Sequence, residues 1–76
     1  MVIFKIDILS ELKKKGFRTT ELINKKVVTS QTLQNIRNGQ TNLSMKTINN
    51  ICICLGCQIS DILEIIPTDD DIEQFF

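Results

Sequence analysis

The chain contains no histidine, no tryptophan and no tyrosine, and its single proline is Pro67. Without an imidazole it lacks the side chain that most often moves protons near neutral pH and most often binds transition metals. No apolar run approaches the roughly 20 residues of a membrane-crossing helix, and Met1-Val2-Ile3-Phe4 is too short for the core of a signal peptide, so a cytoplasmic location is expected. A chain of 76 residues makes one small domain near the lower limit for a core-stabilised fold, with no room for a catalytic domain beside a binding domain. A glycine-rich phosphate loop is missing, the acids stand in first turns and in the last segment, and the serines stand at helix starts. Neither enzymatic activity nor a cofactor is expected.

Net charge is zero only as a sum. All nine basic residues lie at or before Lys46, against Asp7, Glu11 and Glu21, which makes the chain up to Gln58 +6; from Ile59 onward six acids and no base make it −6. A cationic front half is the electrostatic footprint of a nucleic-acid partner, which the whole-chain balance conceals. Cys52, Cys54 and Cys57 form one odd-numbered cluster. A structural zinc site takes four ligands, residues 52 and 54 point to nearly opposite sides of a helix, and a disulfide framework joins distant segments. Reduced, partly buried thiols are therefore expected, with no metal.

What the chain does have is 42% apolar residues, mostly Ile, Leu and Val, which suits a compact core and excludes a mainly disordered chain. Ile8, Leu9 and Leu12 recur at helical spacing between about Lys5 and Lys15, and Gly16 stops that helix. A short second helix starts at Thr19 or Thr20, turns Leu22 and Ile23 inward and ends near Lys26. Val27-Val28 links it to a third, capped by Thr29 and ended by Gly39, which keeps only Leu33 and Ile36 for the inside. Ser44 caps a fourth helix whose stripe is Met45, Ile48, Ile51, Cys52 and Leu55, ending at Gly56. Ser60 caps a short fifth helix running to Ile66 before Pro67, and residues 68–76 form an acidic tail with an apolar end. Val2-Ile3-Phe4 is β-prone and covers the core or pairs with another chain.

Two short helices joined by a few residues make a helix-turn-helix. The second member carries Ser30, Gln31, Thr32, Gln34 and Asn35 outward, amides and hydroxyls that match base edges in the major groove, where Gln and Asn bond bidentately to adenine. The same face also suits plain solvation.

The order Gly16, Glu21-Leu22, Thr29, Gln31-Thr32-Leu33, Ile36, Asn38-Gly39, Ser44, Thr47-Ile48, Ile51-Cys52 and Leu55 resembles the XRE helix-turn-helix regulators, the class of phage repressors and Cro proteins. Leu55-Gly56-Cys57-Gln58-Ile59-Ser60-Asp61-Ile62-Leu63-Glu64, with Pro67 following, is similar to a small single-domain branch of that family. The resemblance implies an all-α, five-helix, lambda repressor-like bundle over residues 1–67, with helix three in the major groove and a separate tail, 68–76. By position it puts Ser30, Gln31, Gln34 and Asn35 on bases with Thr32 beside them. It sets Thr19, Asn38, Gln40, Thr41 and Asn42 on phosphates, and Lys25, Lys26, Arg37 and Lys46 near the backbone. Three positions depart from the family pattern. Val27 stands where Gly is usual and resists positive φ, so a rearranged turn is expected; Ile23 replaces a small Ala and Thr19 a Gln.

A sequence-specific transcriptional regulator is the leading expectation. Few base contacts per copy argue for a homodimer on a two-fold site, using apolar positions left over from the core: Ile53, Ile65, Ile66, Phe75 and Phe76, with Val2-Ile3-Phe4 and Ile72 as further candidates. The alternative is an antitoxin or interaction adaptor that holds a protein partner through the acidic tail.

Overall fold

The computed structural model describes all residues, 1–76. Its elements are β1 (Val2–Phe4), α1 (Ile8–Lys14), α2 (Thr19–Asn24), α3 (Ser30–Arg37), α4 (Met45–Leu55), α5 (Ile59–Ile62), β2 (Leu63–Ile65) and α6 (Asp69–Phe75). Ten aliphatic side chains form one core, from Ile8 and Leu12 of α1 through Leu22, Val28, Leu33, Ile36, Ile48, Ile51 and Leu55 to Ile62. Phe4 and Phe17 close it from the side, half-buried. α1 packs on α3 and α4, and α4 packs on α5, so every helix from α1 to α5 contributes at least one buried residue.

Local chemistry accounts for most of the boundaries. Asp7, Thr29 and Ser44 each accept a hydrogen bond from a first-turn amide, of Ser10, Thr32 and Thr47 at 3.2, 3.1 and 3.1 Å, which satisfies donors that the helix itself leaves open. Gly39 follows α3 at φ +76°, a conformation that side chains with a Cβ resist. Its neighbour Gln40 returns an amide bond to the Asn35 carbonyl at 2.9 Å, closing the helix end.

Four expectations are corrected. The fold has six helices and a two-stranded ribbon, where a purely helical five-helix bundle was expected. The fifth helix stops at Ile62, because Leu63–Ile65 pairs antiparallel with β1 in the register Val2↔Ile65, Ile3↔Glu64, Phe4↔Leu63. Ser60 lies inside α5; its start is held instead by the Asp61 carboxylate accepting from the Gln58 amide at 2.9 Å. Met45 is 70% exposed at the first position of α4, and only Ile48, Ile51 and Leu55 of the expected stripe are fully buried.

The segment after Pro67 is also ordered. Thr68 and Asp71 bond each other's backbone amides at 3.1 Å, a reciprocal cap that starts α6. Those bonds, from the Thr68 backbone first, and the Met1 ammonium at 3.2 Å hold the Asp71 carboxyl below its ordinary range. A depressed carboxyl stabilises the fold above its unfolded pKa of about 3.9 and loses that contribution as pH falls through the folded value, so acid loosens this helix start. No α6 side chain is fully buried. The radius of gyration, 13.7 Å, exceeds the roughly 11 Å of a compact chain this long, and we attribute the excess to α6 standing away from the core.

The turn between α2 and α3 is rearranged, as Val27 in the place of a glycine requires. The left-handed residue is Lys26, at φ +59°, while Val27 stays outside that region and turns half inward against the core. An unbranched lysine tolerates this conformation better than valine, but still at a cost of about 1–2 kcal/mol. Lys26→Gly is expected to gain roughly 0.5–1 kcal/mol after the added flexibility of the unfolded chain is subtracted, raising the melting temperature by about 2–8 °C. Val27→Gly is expected to lower it; thermal denaturation of both variants is the check.

Candidate nucleic-acid interface

α3 presents its outer face through simple helical arithmetic. Leu33 and Ile36 point inward, 2% and 7% exposed, so Gln31, Gln34 and Asn35 lie across the helix from them, with Ser30 on one flank and Thr32 on the other. Gln31 and Gln34 are exposed and Asn35 half so. The Gln31 Nε2 donates to Asn35 Oδ1 at 3.0 Å, one turn along the same face. That bond leaves Gln31 Oε1 as an open acceptor and both Asn35 Nδ2 hydrogens as open donors. Thr32 contributes less than its position suggested. Its hydroxyl is engaged with the Thr29 hydroxyl at 2.9 Å as part of the cap.

Basic residues stand at the edges of this face. Lys26 and Lys46 line one groove of about 500 Å³ together with Thr29 and Ser30, at the start of α3, and Ser44, Thr47 and Asn50 of the α4 side. Arg37 is exposed in the last turn of α3. Neither it nor Lys26 or Lys46 has a carboxylate partner, since the ion pairs present are Met1–Asp71 and Lys14–Glu11. Lys25 reaches both ways: it lines a shallow groove with Lys26 and Lys46, and its ammonium sits 5.7 Å from the centre of the Phe17 ring. Such a contact is worth about 0.5–1 kcal/mol at an exposed site, little enough for a phosphate to displace.

The segment after α3 divides the expected phosphate contacts. Asn38 and Gln40 give their amides to the carbonyls of Gln34 and Asn35, at 3.0 and 2.9 Å, so only their exposed side chains remain free. Asn42 is exposed. Thr41 is turned away: its hydroxyl donates to the Val2 carbonyl at 3.3 Å and ties this loop to β1. Thr19 is exposed at the first position of α2, where Arg18 supplies no side-chain cap. The structure thus gathers Ser30, Gln31, Gln34, Asn35, Lys26 and Lys46 along α3 and its start, and removes the hydroxyls of Thr32 and Thr41 from that group.

Compared with family models, residues 7–68 match the Cro/C1-type helix-turn-helix DNA-binding domain. The chain belongs to that family. Comparison with curated proteins and with solved structures finds no match. Within the matched range α2 and α3 are two short helices joined by a turn of five residues, and the outer face of α3 is open to solvent at Ser30, Gln31 and Gln34. No helix is long and apolar enough to cross a membrane. Away from the interface Cys52, Cys54 and Cys57 are half-buried free thiols, and burial, then the neighbouring Cys57, pushes the Cys52 thiol up.

Asn50 is the residue that sequence reasoning missed. Its Nδ2 donates to the Val27 carbonyl at 3.2 Å, pinning the rearranged turn from α4, which carries the basic groove's other wall. An Asn among Asn49 and Asn50 on a helix gives no local sign of this, because the partner lies 23 residues away. Asn50→Ala is expected to cost about 1 kcal/mol, a fall of about 4–8 °C in melting temperature, by leaving that half-buried carbonyl without its partner.

Proposed function

We propose that the chain is a sequence-specific DNA-binding transcriptional regulator that reads the major groove with α3, as a dimer on a two-fold operator. The Gln31–Asn35 pair carries this reading. With one bond joining the two amides, the remaining Oε1 acceptor and Nδ2 donor complement the N6 donor and N7 acceptor of adenine, and the helix face holds both in advance. Ser30 and Gln34 extend the same face toward neighbouring bases. Lys26 and Lys46, with Thr19, Asn38, Gln40 and Asn42, hold phosphates on either side and fix the angle of the helix. Arg37 and Lys25 add attraction without register.

One copy offers two to four base contacts, each worth about 1–3 kcal/mol of discrimination, which is little against a genome of competing sites. Two copies on half-sites about 34–36 Å apart double that reading, and the exposed Ile53, Ile65, Ile66, Phe75 and Phe76 are available to join them. A family membership of this kind goes typically with regulation rather than with catalysis.

Gln31→Ala and Asn35→Ala are each expected to lose about 1–3 kcal/mol of discrimination at one base pair and to leave other positions unchanged. Lys46→Ala is expected to weaken every duplex alike and to reduce the salt slope of the affinity by about one. Binding titrations against single-base operator variants at several salt concentrations separate the two; a uniform loss for both kinds of change would remove α3 as the reader.

A further inference from the structure

The ribbon side of the molecule carries an apolar groove and an apolar knob that do not meet. The groove, about 390 Å³, runs between Val2 and Ile65 of the ribbon and Met45, Ile59 and Leu63, with the Thr41 loop at one end. The knob is α6, whose Ile72, Phe75 and Phe76 share one face and are 49%, 71% and 102% exposed. Ile65, 75% exposed, borders both the groove and the α6 face, so the two are neighbouring parts of one surface. A helix of seven residues with no fully buried side chain is marginal in water, and its caps alone do not make it persist.

We infer that α6 is a docking arm for a second copy of this chain: Phe75 and Phe76 of each copy enter the Val2/Met45/Ile59/Ile65 groove of the other, about a two-fold axis. Knob and hole on one chain, side by side, satisfy the self-complementarity of an isologous interface. The fit is apolar rather than ionic: the groove is lined by Glu64 as well as by its apolar side chains, and the nearby Lys5 ammonium is already on the Ser60 carbonyl at 3.1 Å. The two phenylalanines alone account for roughly 300–400 Å², about half of the 800 Å² per partner in a standard interface, and Ile65, Ile72, Met45, Ile59 and Val2 supply the rest. Because Thr41 lines the groove and its hydroxyl holds the loop to β1, docking also steadies the Gln40–Asn42 segment that faces DNA. The inference rests on the proposed two-fold reader and assigns its joining surface.

Sedimentation of the full chain, alone and mixed, is the test. An arm variant, Phe75→Ser with Phe76→Ser, and a groove variant, Met45→Asp with Ile59→Asp, alter exposed positions, and circular dichroism verifies their fold. The wild type is expected to dimerise, each variant alone to lose at least about 30-fold in dimer affinity, and their mixture to regain part of it, since one intact arm then meets one intact groove. A wild type that stays monomeric would overturn the inference and leave α6 to a different protein. Dimers indifferent to both variants, or a mixture no better than its components, would overturn it too. Binding of a single half-site duplex by the arm variant is read separately, so failed docking and failed DNA recognition are distinguishable.

Discussion

Two buried side chains, Leu33 and Ile36, hold α3 to the rest of the molecule, and its other faces owe their freedom to that economy of attachment. Removing either side chain to Ala is a change of about 2–5 kcal/mol in a domain whose whole stability is of order 5–15 kcal/mol. So small an anchor leaves orientation open, and orientation is supplied from the flanks. The Thr29 cap fixes the start, Gly39 and the Gln40 amide fix the end, and Asn50 holds the turn that leads in. The Lys26 backbone strain belongs to the same arrangement: the chain must reverse just before α3, and with Val27 unable to make the turn the preceding residue makes it.

The division of charge along the sequence is only partly a division of surface. Lys26 and Lys46 share one groove with Ser30, Ser44, Thr47 and Asn50, and α6 carries Asp69, Asp70, Asp71 and Glu73, but Lys13 and Arg18 line a separate groove and Lys5 bonds the Ser60 carbonyl beside the ribbon. A zero net charge keeps neither end neutral.

Legibility followed the range of the interactions. α1, α3 and α4 were readable because their apolar spacing, their terminal glycines and, for α3 and α4, the capping Thr29 and Ser44 all lie within a few residues of what they control. Ile62-Leu63-Glu64-Ile65-Ile66 was not, since a short apolar run fits helix or strand equally, and pairing with Val2–Phe4 some 60 residues away decided it. The Thr41 hydroxyl and the Asn50 amide were lost to partners 39 and 23 residues away. α6 is a different case. Thr68-x-x-Asp71 is a capping signal printed in the chain, outweighed there by the run of acids that suggested a solvated tail. The exposure of Met45 follows from its place at the first position of α4, where the Ser44 cap sets the helix phase.

Selection of binding sites by the full chain from a random duplex pool tests most directly whether the amide face of α3 reads bases. The expected product is a converged, two-fold symmetric sequence with half-site centres about one helical turn apart and at least one fixed A·T pair in each half. A pool that keeps its starting composition through successive rounds, while the protein still retains duplex through its lysines, would contradict the account.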